Sequence, residues 1–338
     1  MQYASTTSAL DMPVTPSAET APGPTAEPFV DGITPRPDGL SGHLPGWLRS
    51  RSTTAANGTT SASFRIALPA FFAQATQTAA YKSENDDATF VERLGDGLII
   101  AGLFDGVTVP KRHNRAGHVI AGFVRERLRS ALVETDGRRP IVESILAKAL
   151  EDAVGVLERL GGGAATTATV VVASPIRHGD WRLYTINAGN SRATLLLPDG
   201  TLDPMTRVKP PGTSFAIANT LTAGYRYKLE TSKVTVPAGS TVLFTSDGVH
   251  DHLRDSEMWI DLGRSVEASL LDARQTGARS LAERLLRTFA ETLVTRATVA
   301  QARSARADDT TAMTLLLGDP SRALEQKLPL ALPPARTA

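Results

Sequence analysis

Three segments of this chain have the composition of buried β-strands, and each has an aspartate near one end. The segments are apolar and rich in β-branched or aromatic residues, and they span residues 98–104, 241–244 and 312–317. Asp105 and Asp247 follow the first two segments, and Asp308 stands shortly before the third. In antiparallel strands the end of one strand lies beside the start of the next, so we expect these carboxylates to share one edge of a sheet.

Carboxylates that gather out of water need a compensating positive charge. They repel one another, and burial of each charge is costly unless a cation or hydrogen bonds offset it. A ligand set made of oxygen alone favours hard divalent ions such as Mg²⁺, Mn²⁺ or Ca²⁺ over Zn²⁺. The pattern therefore predicts a divalent metal site at this sheet edge.

A fourth acid joins the group through a predicted hairpin. Residues 88–92 have the composition of a strand, and a Gly-Asp-Gly turn separates them from the returning strand. With the turn centred on Asp96, Asp87 lies opposite Asp105. A slip of one residue would turn the side chain to the other face, so the prediction depends on this register.

Composition excludes several classes of protein. The chain has 338 residues, of which 41% are hydrophobic, so it can form one large domain or two smaller ones. Its net charge of +1 gives no argument for binding to nucleic acid or to an acidic membrane. The absence of cysteine excludes disulfides, thiolate nucleophiles and cysteine-based metal sites. No apolar run approaches the roughly 20 residues that span a bilayer, and we expect no secretory signal peptide.

The distribution of residue types divides the chain into three parts. Residues 1–62 are rich in Ser, Thr, Pro and Ala and are predicted to be a disordered leader. Residues 319–338 are rich in Pro and Ala and are predicted to be a disordered tail. The part between them, residues 63–318, is the predicted folded domain.

Periodicity within the folded part predicts its architecture. Helical spacing of apolar residues recurs twice within residues 114–160 and again near 280–296. Several short strands between residues 166 and 245 suggest a β-meander. This order of strands and helices predicts an α+β fold in which two mainly antiparallel sheets pack face to face with helices on the outside.

Six segments, in the same order along the chain, resemble motifs of the PPM-type (type 2C) metal-dependent Ser/Thr protein phosphatases. The likeness runs from residue 81 to 317, and the segments span residues 85–88, 104–106, 165–168, 187–193, 246–251 and 308–311. Each motif alone is weak, whereas six in order make coincidence an inadequate explanation. The resemblance implies a β-sandwich with α-β-β-α layers, in agreement with the architecture predicted from periodicity.

The resemblance also implies a reaction and its ligands. Members of the family bind two Mn²⁺ or Mg²⁺ ions, and a hydroxide that bridges the ions attacks the phosphorus of phosphoserine or phosphothreonine. By position, Asp105 would bridge both ions, and Asp247 and Asp308 would complete the protein ligands of one. The substrate would be a phosphoprotein, such as a Ser/Thr kinase or a kinase target.

The second ion has a different set of implied ligands. The carbonyl oxygen of Gly106 would bind it, with Asp86 or Asp87 acting directly or through water. A glycine suits this position because its backbone can approach an ion without hindrance from a side chain.

The sequence departs from the family pattern at the substrate side of the site. Lys82 stands where members usually have an arginine that grips the substrate phosphate, and lysine cannot form a bidentate contact. Residues 107–110 replace a Gly-rich turn, so no histidine follows Gly106, and an acid for the leaving group would come from water or elsewhere. Asn190 replaces an aspartate that helps to bind a third, weaker ion, so we expect that ion to bind less well.

Three functional hypotheses follow. The first is a PPM-type phosphatase, expected to be monomeric, without nucleic-acid partners, and cytoplasmic in a bacterium. The second is a catalytically weak binding or regulatory protein with the same fold, because Lys82 and residues 107–110 depart from the pattern. The third is an unrelated metal-dependent hydrolase. The leader also resembles export leaders of bacterial effectors, which leaves delivery into a host cell as an alternative location.

The His-Asp-His triplet at residues 250–252 suggests a second metal cluster. Consecutive positions of an extended segment point to different sides. A solvated loop is therefore the favoured interpretation.

Overall fold

The computed structural model describes the chain between residues 49 and 318, with gaps. The described residues are 49–54, 60–66, 70–107, 115–133, 142–161, 163–176, 179–198, 201–206, 219–225, 227–254, 257–258, 281–303 and 307–318. Most of the predicted leader and the whole predicted tail lie outside these residues.

Fourteen strands, four α-helices and one 3₁₀ helix, Gly95–Gly97, have defined bounds in the described residues. The strands are β1 Arg49–Thr54, β2 Thr60–Ile66, β3 Ala70–Gln77, β4 Ala88–Arg93, β5 Ile99–Phe104, β6 Ala165–Thr166, β7 Ala168–Pro175, β8 Trp181–Ala188, β9 Arg192–Leu196, β10 Leu202–Pro204, β11 Leu221–Thr222, β12 Glu230–Val236, β13 Thr241–Thr245 and β14 Thr310–Leu317. The helices are α1 Ala116–Val133, α2 Val142–Leu160, α3 Asp247–His250 and α4 Leu281–Gln301.

The strands form two large antiparallel sheets and one small one. The first sheet has the order β1-β2-β3-β14-β13-β9-β10, and the second has the order β12-β8-β7-β5-β4. Strands β6 and β11 make a separate pair. The predicted α+β architecture of two antiparallel sheets with helices is confirmed.

Strand β5 shows how the layers are stacked. Its side chains alternate between two cores, as the two-residue period of a strand requires. Ile99 and Leu103 belong to the core between the two sheets, whereas Ile100 and Phe104 face the core under helices α1 and α2. The second sheet is therefore buried on both faces, which explains the continuous apolar run in the sequence.

Helix α4 covers the outer face of the first sheet. Phe289, Leu293 and Ala297 recur at helical spacing and are buried against residues of the first sheet. Helices α1 and α2 cover the second sheet in the same way, so the layers follow the order α-β-β-α. None of the described helices is long and apolar enough to span a membrane.

Regular structure begins earlier in the chain than composition indicated. Strands β1 and β2 lie wholly or partly within residues 1–62, and backbone pairing joins them to β3. The alternation of apolar and polar residues at 64–68 predicts a first strand, and β2 includes residues 64–66. Strand β1 is rich in Ser and Thr and has no apolar period that would have indicated it. Strand β3 was absent from the sequence-based prediction, because much of it is alanine and glutamine, which have weak strand propensity.

The predicted β-meander is divided between the two sheets. Strands β7, β8 and β12 are neighbours in the second sheet, whereas β9, β10 and β13 belong to the first. The prediction of one continuous meander was wrong because local pattern identifies strands but does not show which sheet each one joins.

The core between the sheets yields a test of the fold. Phe244 on β13 is fully buried there. We expect Phe244→Ala to lower the free energy of unfolding by about 3–5 kcal/mol, the usual cost of emptying an aromatic core position. Urea denaturation measures this change. Val299→Ala, at an exposed position of α4, is the control, with an expected change within about 0.5 kcal/mol. Equal losses in both variants would contradict the layer assignment.

Candidate active site

The β4–β5 hairpin brings two aspartates together at one end of the second sheet. Ala88 pairs with Phe104 in the antiparallel ladder, so Asp87 and Asp105 stand just beyond the last pair. The predicted hairpin register is therefore confirmed. Burial raises the pKa of the Asp105 carboxyl well above its ordinary value, and the charges of Asp247 and Asp87 raise it further.

Two more aspartates reach the same place from the first sheet. Asp247 begins α3, shortly after β13, and Asp308 lies two residues before β14. The β13–β14 ladder ends at the pair Thr245 and Ala312, so both aspartates project beyond it. Burial and the charge of Asp247 raise the pKa of Asp308. The four aspartates thus lie together as expected, but they come from two sheets and not from one.

Lys82 places its ammonium group among three carboxylates. Its Nζ atom lies 2.9 Å from Oδ2 of Asp309, 3.3 Å from Oδ2 of Asp86 and 3.5 Å from Oδ1 of Asp308. The Lys82 side chain is only 4% exposed. Burial would lower its pKa, but the hydrogen bond to Asp309 and the charges of the carboxylates raise it above its ordinary value. Lys82 is therefore a cation that offsets these acids, and its contact with a substrate phosphate stays a prediction.

Asp309 organises the segment that carries Lys82. Its Oδ1 accepts a hydrogen bond of 2.8 Å from the backbone N–H of Ala79, and its Oδ2 accepts one of 2.8 Å from that of Asp86. Burial raises the pKa of Asp309, and these two N–H groups partly offset the rise. Sequence reasoning gave Asp309 no role, although the paired acids at 308 and 309 were a visible signal.

The Asp105 turn is held by hydroxyl groups of the neighbouring strand. The backbone N–H of Asp105 donates to Oγ1 of Thr167 at 3.0 Å, and Oγ1 of Thr166 donates to the carbonyl oxygen of Asp105 at 3.0 Å. Gly106 donates its backbone N–H to the carbonyl oxygen of Asp86 at 3.3 Å. A Cβ atom on Gly106 would lie 2.8 Å from that same oxygen, so a side chain is excluded there.

Asn190 contacts the acid group directly. Its Nδ2 donates a hydrogen bond of 2.8 Å to Oδ2 of Asp247. The neutral amide thus occupies a place beside Asp247 where an aspartate would add a further negative charge. Weaker binding of a third ion remains the prediction for this position.

Two histidines near the site differ from expectation. His250 is buried, and its Nδ1 lies 3.2 Å from Oγ1 of Thr245, so it is not part of a solvated loop. His118, near the start of α1, lies close to the acids, a position that sequence spacing did not indicate. Burial and the charge of Arg115 lower its pKa, so His118 is neutral near pH 7. His113, which is near Gly106 in sequence but does not have the spacing of the family's histidine, lies outside the described residues.

Within the described residues, no three Asp, Glu, His or Cys side chains are arranged to hold an ion as they stand. Three of the carboxylates are instead turned toward Lys82. The donor chemistry nevertheless fits a hard divalent ion. Both carboxylate oxygens of Asp87 are buried, and burial and the charge of Asp309 raise the pKa of this carboxyl although the hydroxyl groups of Thr311 and Ser246 partly offset the rise. The carboxylates that could serve as ligands supply oxygen.

The fold and this group of acids define the class of the protein. It has the fold of the PPM-type Ser/Thr protein phosphatases, as the sequence motifs suggested. Residues 113–317 match the family model described as Stage II sporulation protein E (SpoIIE). The chain therefore belongs to the SpoIIE family. No curated protein sequence matches it.

Solved structures agree on the fold. The serine/threonine phosphatase PstP/Ppp of Mycobacterium tuberculosis is 20% identical, with a TM-score of 0.53, and the match covers 74% of this chain and 99% of that chain. The S. agalactiae serine/threonine phosphatase is 16% identical, with a TM-score of 0.53 and coverage of 73% and 99%. The catalytic domain of PstP in complex with two manganese ions is 19% identical, with a TM-score of 0.52 and coverage of 74% and 99%.

The close approach of two acid-bearing turns makes Gly248 a sensitive position. A Cβ atom there would lie 2.0 Å from the carbonyl oxygen of Asp309, so Gly248→Ala must move one of the turns. We expect a loss of about 1–3 kcal/mol in unfolding free energy, the usual cost of overpacking. Thermal unfolding in chelator measures it. Gly122→Ala, with open space around its Cβ, is the control, and equal stability of the two variants would contradict this geometry.

Burial of Asp87 gives a prediction for pH. Burial and the charge of Asp309 raise the pKa of its carboxyl well above the ordinary value, so the folded protein binds this proton more tightly than the unfolded chain does. Ionisation of Asp87 therefore destabilises the fold. The destabilisation is complete at pH values above the raised pKa of the folded state and absent at pH values below the ordinary pKa of the unfolded chain. In chelator at pH 7, we expect Asp87→Asn to unfold at a higher temperature than the wild type.

The increase in unfolding temperature of Asp87→Asn over the wild type should shrink as the pH falls toward about 4, the ordinary pKa of aspartate. Thermal unfolding at several pH values measures it, with Asp203→Asn on the exposed strand β10 as the control. An Asp87→Asn variant that is less stable than the wild type at every pH would contradict the prediction.

Proposed function

We propose that this protein is a metal-dependent phosphatase that hydrolyses phosphoserine or phosphothreonine in a protein substrate. One observation carries the proposal. Acids from the ends of four strand segments in two different sheets converge at one place, although their mutual repulsion opposes this arrangement. A fold that gathers so many like charges is best explained by a cationic ligand that the charges recognise.

Charge balance favours two divalent ions. The group contains six carboxylates and one ammonium, from Asp86, Asp87, Asp105, Asp247, Asp308, Asp309 and Lys82. With all of them ionised, five negative charges are left without a partner, and two divalent ions would supply four positive ones. One ion would leave a large excess of negative charge, and a third would need further ligands, which the neutral Asn190 does not provide.

The residues divide into two sets of proposed ligands. Asp105, Asp247 and Asp308 would hold one Mn²⁺ or Mg²⁺ ion, and Asp105 would also contact the other. Asp86 or Asp87 and the carbonyl oxygen of Gly106 would complete the second site. When bound, such ions lower the pKa of a water molecule that serves as the nucleophile, and they offset charge on the phosphoryl oxygens.

The chain itself supplies orientation and charge. The Thr166 and Thr167 hydroxyl groups hold the Asp105 turn, and Asp309 holds the segment with Lys82. Lys82 adds a buried positive charge on the side of the site where the resemblance implies the substrate phosphate. Because His118 is neutral near pH 7, water is the proposed proton donor to the leaving group.

The proposed substrate is a phosphoprotein, such as a Ser/Thr kinase or a kinase target. A monomer in the bacterial cytoplasm is the proposed state of the enzyme. Delivery of the protein into a host cell is the alternative location.

A second candidate is a protein that binds a metal or a phosphoprotein with little turnover. Lys82 supports this candidate, because three carboxylates hold its ammonium group and a substrate phosphate would have to compete with them. Calorimetry with Mn²⁺ separates the two candidates when it is combined with a turnover assay.

Asp247→Asn tests the proposed reaction. We expect it to reduce phosphate release from a phosphothreonine peptide in Mn²⁺ by more than the roughly 10–100-fold typical of residues that only support a ligand. The wild type should lose activity in excess chelator. Asp203→Asn is the matched control and should keep full activity, since Asp203 is exposed on β10.

Each outcome of this assay has a distinct meaning. Full activity of Asp247→Asn, or of the wild type in chelator, would exclude the proposed mechanism. Tight Mn²⁺ binding by the wild type without turnover of any phosphopeptide would support the second candidate. Turnover of small phosphate esters without any selectivity for phosphopeptides would favour an unrelated metal-dependent hydrolase.

A further inference from the structure

Gln301, the last residue of α4, reaches from the outer helix layer to both acid-bearing turns of the first sheet. Its side chain is buried. Its Nε2 donates hydrogen bonds of 2.9 Å to the carbonyl oxygen of Gly248 and of 2.9 Å to Oγ1 of Thr310. Its Oε1 accepts a hydrogen bond of 3.1 Å from the backbone N–H of Asp308.

These contacts determine how the amide is oriented. The carbonyl oxygen of Gly248 can only accept, and the N–H of Asp308 can only donate. A glutamine amide therefore meets both requirements, whereas a carboxylate would meet only one. Thr310 extends the connection, because its hydroxyl accepts from Gln301 and donates to the carbonyl oxygen of Asp308 at 3.3 Å.

The contacts lie beyond the last pair of residues in the β13–β14 ladder and beyond the hydrogen bonds that join Ser246 to Thr311. Ladder pairing between β13 and β14 ends at Thr245 and Ala312, before either aspartate is reached. Gln301 holds the turn next to Asp247 by its bond to the carbonyl oxygen of Gly248. It holds Asp308 by accepting a bond from the Asp308 backbone N–H.

We propose that Gln301 is a positioning residue that keeps Asp247 and Asp308 in register for a divalent cation. The inference rests on the proposed function, since it assigns these two aspartates to one ion. Gln301 is not proposed as a ligand of the ion or as a contact of the substrate. It acts through the backbones of the two turns, and it makes the end of α4 a part of the site.

Gln301→Leu removes all three hydrogen bonds at similar volume, and Gln301→Glu keeps an acceptor for Asp308 while losing both donors. Thr292→Ala is the matched control, because Oγ1 of Thr292 donates to the carbonyl oxygen of Thr288 within the same helix and makes no bond to the acid-bearing turns among the described residues. Hydrogen exchange in chelator reports on the turns without any metal. We expect Gln301→Leu to accelerate exchange of the Asp308 amide more than tenfold, with the amide of Met313 in β14 unchanged.

Calorimetry with Mn²⁺ then measures what the positioning contributes. We expect Gln301→Leu to weaken Mn²⁺ binding roughly 10–100-fold, as loss of a ligand's supporting contact typically does. Gln301→Glu should weaken Mn²⁺ binding less, because it keeps the acceptor for the Asp308 amide. The Mn²⁺ electron paramagnetic resonance spectrum of Gln301→Leu should also change. In an Asp308→Asn background, the Gln301→Leu effect on affinity should largely disappear, because the two residues act together.

The outcomes separate this inference from the proposed function. Unchanged Mn²⁺ affinity in Gln301→Leu, with tight binding by the wild type, would overturn the positioning role alone. Failure of the wild type to bind Mn²⁺ would overturn the proposed function and this role with it. Equal losses of affinity in Gln301→Leu and Thr292→Ala would show a general effect of the helix and would also overturn it.

Discussion

Electrostatic repulsion among buried carboxylates is the constraint on which this site depends. The acids approach from the ends of strands in both sheets, and burial raises the pKa of Asp87, Asp105 and Asp308. Lys82 compensates part of the charge from within the chain, and backbone N–H groups compensate part of the charge on Asp309. The remaining negative charge is what the proposed divalent ions would offset.

Sequence pattern predicted the features that arise from local geometry. The two-residue period of a strand and the length of a turn determine which residues face each other, so the pairing of Asp87 with Asp105 could be derived. The 3.6-residue period identified α1 and α2 in the same way. The sheet to which each strand belongs could not be derived, because it depends on contacts between segments far apart in sequence.

The supporting contacts of the site were also beyond sequence reasoning. Asp309 and Lys82 have their roles because the segment before β4 folds back onto the start of β14. Gln301 is one of many polar residues on α4. It has a role because the helix ends beside the two turns, where its side chain bonds to Gly248 and Asp308. A motif shows which residue types the chemistry needs. The groups that orient these residues depend on the three-dimensional packing and leave no local pattern in the sequence.

The origin of the acids in two sheets links the site to the packing of the sandwich. Asp105 is carried by the second sheet, and Asp247 and Asp308 are carried by the first, so a shift of one sheet against the other changes their separation. The apolar core between the sheets resists such a shift, since close-packed side chains deform little. Helix α4 adds a second restraint from outside the first sheet, because it packs on that sheet and ends at Gln301. Because these contacts are made to the first sheet, we expect disturbance of the α4 interface to displace Asp247 and Asp308 more than Asp105.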